Sequence, residues 1–267
     1  MAISRPAALW SPSNPRQSYA FEDYCAADPK GPTAQWIYDK ASIGFVVCGW
    51  FEYASQGESR LAGPGALILG NAGDPFSVRH TDANGNRRLV ATLNENVIKE
   101  VANHAGVPPH FNASVVPPGT SSTYVSGLIR AASRGDDHAQ YPLAHAALCA
   151  FQLPAPAQIT ALDRTRVQSV VRHVEANFDE PCSLTVLADI AGVSRYHFVR
   201  IFSHVVGVTP NQYLINVRLR AAADLLLATK APIAQIIYDV GFNDISYFYA
   251  CFRETFRCTP RQWRFRH

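Results

Sequence analysis

Two short stretches of this chain carry side chains suited to reading nucleic-acid bases. In the first, Phe198, Ile201 and Phe202 recur at the spacing of a helix's inward face, which leaves Arg195, Tyr196, Val199, Arg200 and Ser203 outward. An arginine can give a bidentate pair of hydrogen bonds to guanine, and tyrosine or valine can meet a thymine methyl. Arg200, Tyr196 and Val199 are therefore the base-reading candidates, while Arg195 and His197 suit phosphates, which position without specifying. A surface ion pair is the alternative use of Arg200. In the second stretch Phe248, Cys251 and Phe252 face inward, leaving Ile245, Ser246, Tyr247, Tyr249, Ala250 and Arg253 outward. Apolar contact and groove shape, through Ile245, Ser246 and Tyr247, are the chemistry available there, with Arg253 on phosphate.

Both stretches belong to one helical unit written twice between Ser183 and Arg264. The first copy has Leu184, Leu187, Ala188, Ala191, Gly192, Phe198, Phe202 and Thr209-Pro210; the second has Ile233, Ile236, Ile237, Val240, Gly241, Phe248, Phe252 and Thr259-Pro260. Matched positions lie 49 apart up to the glycine and 50 apart after it, so one residue is inserted near Asn243-Asp244. An apolar stripe, a glycine break, a polar cap and a second amphipathic helix spell helix-turn-helix. Gly192 and Gly241 suit the left-handed turn. Ser194 caps the second helix of the first copy, and Asn243 or Asp244 does so in the second. A helix from Thr209-Pro210 to about Thr229, roughly 20 residues at about 1.5 Å per residue, spans roughly 30 Å. That approaches one turn of B-DNA, roughly 34 Å, and would hold the two copies over successive major grooves.

The preceding part reads differently. Met1 to about Lys40 has little periodicity, so an irregular arm with a short strand at Trp36 to Tyr38 is expected. Apolar residues alternate from Ser42 to Tyr53 as in a single strand buried on both faces. Ala66 to Leu69, Phe76 to His80 and Arg88 to Leu93 read as further strands between Gly, Pro and Asn turns. Regular short strands predict a small antiparallel barrel or jelly roll, about 36–93, able to hold one small ligand. Helices near Ser122 to Ser133 and Asp137 to Gln152 would form a dimer contact or pack back on the barrel. Leu153 to Ala157 is a stiff break. The expected layout is a regulatory and dimerisation domain over 1–154, a linker over 155–160 and an all-α domain over 161–267, with helix-turn-helix units at about 183–206 and 232–257.

Composition narrows the function. The 267 residues, 48% hydrophobic and 17% charged, are those of a globular chain long enough for two domains. No apolar run reaches the roughly 18 residues of a membrane span, and no signal core opens the sequence, so a cytoplasmic location is expected. Net charge is +3, and the positive bias lies in the repeated part: from Thr160 onward, 13 Lys and Arg face 9 Asp and Glu. Nucleic acid is the natural partner of that bias. Six cysteines without metal or redox spacing read as buried reduced thiols. His80, His104, His110, His138 and His145 are dispersed, with no His-x-His ligand pair, so no metal, no cofactor and no enzymatic activity are expected. Trp50, Tyr53, Arg79 and His80 are the candidates to line an effector pocket, with Cys48 beside them as an alternative redox trigger.

With those residues in view, the chain resembles the AraC family of transcription regulators. The resemblance rests on Leu187 to Ser194, His197-Phe198, Arg200, Phe202, Gly207 to Pro210, Asp239 to Phe242, Ser246 to Phe248, Phe252 and Thr259-Pro260, and it covers about the last 100 residues. It implies promoter DNA as partner, and base contacts at the positions matched by Tyr196, Val199 and Arg200. Ala250 departs from the pattern by standing where members often carry Arg. The barrel half looks like the cupin-type regulatory arm of such proteins. Together these predict a homodimeric, effector-controlled regulator, with RNA polymerase as a further partner. A regulator whose barrel only dimerises and a cupin enzyme fused to a DNA module are the rival readings.

Overall fold

The structure is a computed structural model and describes residues 20–25, 35–81, 85–150 and 160–266. Nine strands among these make two antiparallel sheets. They are β1 (Ala20–Cys25), β2 (Gln35–Ile37), β3 (Ser42–Cys48), β4 (Phe51–Ser55), β5 (Glu58–Ala62), β6 (Leu67–Gly70), β7 (Pro75–His80), β8 (Asn86–Thr92) and β9 (Val115–Val116). One sheet runs β1-β8-β3-β6-β9 and the other β2-β7-β4-β5. No strand is shared, so a single closed barrel, as expected from the strand spacing, is not what these strands form.

The stretch from Ser42 to Tyr53 shows why. It is two strands rather than one, because at Gly49 the chain leaves the first sheet for the second. Gly49 has φ +87°, and a Cβ there would lie 2.8 Å from the Asn86 Cα; only glycine fits that turn and that approach. Val46, Phe51, Tyr53, Ile68 and Val78 fill the resulting inter-sheet core. Three short strands, β1, β5 and β9, escape the sequence reading altogether. β1 lies where an irregular arm was expected, and it gains strand structure from pairing with β8. β5 (Glu-Ser-Arg-Leu-Ala) has little β propensity but completes a hairpin with β4.

Three helices cover the first sheet: α1 (Glu95–Ala105), α2 (Thr120–Ser133) and α3 (Gln140–Leu148). Val125, Leu128 and Ile129 of α2 and Leu143 and Ala147 of α3 join one core with Ile43, Phe45 and Leu89. Packing back on the sheet is thus the arrangement these helices adopt. α1 begins at Asn94, whose side chain accepts from the Asn96 amide.

The remainder is helical: α4 (Ala161–Ala176), α5 (Leu184–Ala191), α6 (Arg195–Val206), α7 (Pro210–Ala228), α8 (Ile233–Asp239), α9 (Ile245–Phe256) and α10 (Pro260–Arg266). The expected break at Leu153 to Ala157 lies outside the described residues, and the packing on either side of it is continuous. Trp50, 3% exposed, belongs to a core with Val170, Phe198, Phe202 and Tyr213. Phe252, Phe256 and Trp263 share the core of α2. Two aromatics 50 positions apart make equivalent contacts. The Tyr213 hydroxyl donates to Glu175 at 2.6 Å and lies 3.2 Å from the Pro64 carbonyl oxygen. Trp263 packs on Gly127 of α2, where a Cβ would come within 2.8 Å of its ring.

Charged side chains of α7 reinforce this docking, Arg220 through its place over Phe45 and Asp224 through an ion pair. Arg220 meets Glu175 at 2.7 Å and stands 5.3 Å from the centre of the Phe45 ring. Asp224 meets Arg130 of α2 at 2.9 Å. Burial pushes the Asp224 carboxyl up to about 6 in spite of the arginines beside it, because removing a carboxylate from water outweighs their attraction.

Candidate nucleic-acid interface

The α6 helix is built to present one face. Ser194 accepts from the His197 amide at 3.4 Å, and Gly192 at φ +65° ends α5, so the two helices meet at a tight corner. Phe198 and Phe202 are completely buried, and Ile201 nearly so. They anchor α6 through an edge-on pair of rings and a further edge-on contact of Phe202 with Tyr213. Arg195, Tyr196 and Arg200 are exposed, Tyr196 at 83%, while Val199 and Ser203 are half-buried at the margins of the same face.

His197 sits differently from Arg195, with which the sequence pairs it. It is half-buried, its Nε2 is 3.7 Å from Asp163 at the start of α4, and its Nδ1 accepts from Arg200 at 3.3 Å. Asp163 also meets Arg166 at 3.4 Å. The Thr160 hydroxyl first, and then Arg166 and His197, hold its carboxyl below the usual range. His197 therefore braces Arg200 from behind. Asp163 was not legible as a partner, since 34 residues separate it from His197 and only the α4–α6 packing brings them together.

The second helix is built alike and decorated differently. Asp244, not Asn243, is the cap, accepting from the Tyr247 amide at 3.0 Å. Phe248 and Phe252 are buried. Ile245, Ser246, Tyr247, Ala250 and Arg253 are exposed, while Tyr249 is half-buried with its ring edge-on to Phe248. Cys251 is also half-buried rather than fully inward. The α6 face thus offers two guanidinium groups, Arg195 and Arg200, whereas α9 offers Arg253 alone with Asp244 and Glu254 nearby in sequence. In a phosphate field this difference favours the first helix as the stronger anchor.

The last helix is also tied down. Arg261 and Arg264 lie on α10, and Arg264 donates to the Ala231 carbonyl at 2.7 Å, tying that helix to the loop before α8. Arg257 ends α9 in the left-handed conformation and is exposed.

The four residues expected to line an effector pocket, and Cys48 expected beside them, do not converge. The Trp50 ring is committed to the core of the first helical unit, and Tyr53 faces the inter-sheet core, where its hydroxyl is 2.8 Å from that of Tyr38. Arg79 pairs with Glu52 on the opposite side of the strand, His80 is half-buried, and Cys48 is exposed at the end of β3. Alternation along β4 and β7 sends neighbours to opposite faces, which is why proximity in sequence misled. An open cavity of about 290 Å³ lies instead at the far end of this sheet, lined by Ser55, Gln56, Pro75 and Phe76 among others. A second, of about 370 Å³, lies between α1 and α3 at Val101, His104, Tyr141 and His145. The cysteines are also more accessible than expected: of Cys48, Cys149, Cys182, Cys251 and Cys258, only Cys258 is buried. No cluster of three metal-binding side chains occurs among the described residues. No helix among them is long and apolar enough to cross a membrane.

Comparison with known proteins bears on the helical units. Residues 187–266 match the family model described as a helix-turn-helix domain. The HTH-type transcriptional regulator GbdR of Pseudomonas aeruginosa is 30% identical over 128 residues, 48% of this chain and 31% of that protein. The bifunctional transcriptional activator/DNA repair enzyme AdaA of Bacillus subtilis is 33% identical over 102 residues, 38% of this chain and 48% of the relative. The chain thus spans a third to a half of the length of these relatives. A transcriptional regulator from Chromobacterium violaceum, described as containing an AraC-type DNA-binding domain, has a crystal structure. It is 34% identical across 94% of its length and 39% of this chain, with a TM-score of 0.37. The matched residues take in the two helix-turn-helix units, and over them the chain is similar to helix-turn-helix transcription regulators.

Proposed function

We propose that this protein is a sequence-specific transcription regulator that lays α6 and α9 into successive major grooves of promoter DNA. The observation that supports this most is the pair of outward faces, one per duplicated unit, carried on cores that meet through the single helix α7. Arg200 reads guanine in the first groove, with Tyr196 and Val199 against neighbouring bases and Arg195 and Ser203 on the backbone. Ile245, Ser246 and Tyr247 read the second groove by apolar contact and shape, with Tyr249 at its margin and Arg253 on phosphate.

The two-sheet half acts as the regulatory arm in this reading, and its broad contact with α7 and α10 supports that role. A small-molecule effector bound there shifts the balance between arrangements with different DNA affinity. The protein works in the cytoplasm as a homodimer and engages RNA polymerase, without cofactor or catalysis. The organisation is a regulatory domain over 1–154 and a DNA-binding domain over 161–267, joined at 155–160.

Selection of duplexes from a random pool by the full-length protein tests the core of this reading. The expected consensus has two half-sites about 10 base pairs apart, with an invariant guanine in one and a weaker, AT-tolerant pattern in the other. Recovery of no consensus, or of strict guanines in both halves, would overturn it. Repeating the selected binding reaction with candidate small molecules identifies an effector as one that both raises the melting temperature and changes DNA occupancy.

A further inference from the structure

Arg218 lies in the middle of α7 and touches both helix-turn-helix units. Its Nε donates to the Phe178 carbonyl at 2.7 Å, and its Nη2 to the Glu180 carbonyl at 3.0 Å. Those carbonyls belong to the loop that leads from α4 into α5, the entrance to the first unit. The same guanidinium stands 6.0 Å from the centre of the Phe242 ring, in the turn between α8 and α9 of the second unit.

The two units also meet directly beside it. At Gly241 a Cβ would come within 2.7 Å of the Asp179 carbonyl oxygen and 3.0 Å of the Arg218 guanidinium, and the residue has φ +86°. Only glycine allows this approach together with that backbone conformation. The turn that aims α9 is therefore seated against the loop that enters the first unit, and Arg218 fills the junction. Phe178, whose carbonyl it holds, packs against both helical cores. None of these groups belongs to the outward faces of α6 or α9.

A planar guanidinium that forks two carbonyls and stacks on a ring fixes orientation as well as distance, which a flexible ammonium does not. Orientation matters here because B-DNA turns once in about 10 to 10.5 base pairs, so one base pair of extra spacing rotates a half-site by about 34°. We infer that Arg218 is a positioning residue that sets the rotation and spacing of α9 relative to α6, and hence the half-site separation the protein accepts. This rests on the DNA-binding reading above.

The test uses duplexes selected by the wild-type protein, remade with one or two base pairs inserted or removed between the half-sites. Binding of wild type, R218A and R218K is titrated at fixed salt, and their melting is followed alongside. The wild type should lose about tenfold or more for a one-base-pair change, because one half-site is then misaligned. R218A should bind the original spacing about tenfold more weakly, yet its penalty for altered spacing should shrink to about threefold or less. R218K, which has one cation but no fork, should fall between. A full wild-type spacing penalty in R218A overturns the inference, and so does an equal loss at every spacing. Unfolding of both variants at the assay temperature would assign Arg218 to folding alone and overturn it too. If the wild type selects no sequence at all, the DNA-binding reading has failed, and this inference falls with it.

Discussion

Arg200 owes its character to two neighbours rather than to its own position. It is exposed on α6, and its guanidinium donates to His197, which Asp163 flanks from α4. In the proposed reading, an arginine held in this way would enter a groove having already given up part of its rotamer freedom, so more of a guanine contact would survive as affinity. R200A should weaken binding to a selected site by roughly 1 to 3 kcal/mol and binding to random DNA by less. Competition titrations at one salt concentration measure both, and equal losses on the two would mean that Arg200 touches only phosphate. The matching position in the second copy is Ala250, also exposed. Its outward location was readable from the repeat, but the bracing of Arg200 was not, since Asp163 reaches His197 only through helix packing.

Among the elements, α7 has the most to hold. Its 19 residues carry Tyr213 and Arg220 toward the sheet half, Arg218 toward the junction of the two units and Asp224 toward α2. Its start is fixed by a reciprocal cap: Gln212 N donates to Thr209 Oγ1 at 3.3 Å, and Thr209 N donates to Gln212 Oε1 at 3.2 Å, with Pro210 in the first turn. T209A should cost about 1 kcal/mol of stability, seen as a lower urea midpoint at unchanged slope. A midpoint equal to that of the wild type would show that tertiary packing, not the cap, sets this helix start. Thr209-Pro210 was visible in the sequence as a helix start. The second Thr-Pro, at Thr259, begins α10, and Gln262 closes the same reciprocal cap there.

For the whole molecule, the contact between the sheet half and the helical units is the feature with the largest consequences. Asp224 sits in it with Arg130, and burial raises its carboxyl from the ordinary 3.8 to about 6. The folded protein therefore holds that proton more tightly than the unfolded chain does. Asp224's contribution is fully present below the ordinary carboxyl range and is lost as pH rises to about 6. D224N should remove this part of the slope, so that urea unfolding followed from about pH 3.8 to about pH 6 shows a smaller decline than in the wild type. An unchanged decline would place the titration elsewhere. Much of this interface was hidden in the sequence. Trp50 reads as a pocket aromatic, and the equivalence of Tyr213 and Trp263 concerns two different residue types, so no pattern marks them as paired contacts.

By itself the sequence determined the two helix-turn-helix units, the Ser194 cap of the first and the residues on their outward faces. Helical periodicity and capping act over three or four residues, and a duplication repeats that local signal. Only the tertiary structure decided that the strands divide into two sheets at Gly49. The same holds for the scattering of Cys48, Trp50, Tyr53, Arg79 and His80, and for Arg218 spanning Phe178 and Phe242. Each of those outcomes depends on a close approach between residues far apart in the chain, where pleat alternation, steric room and desolvation act on pairs that local spacing does not define.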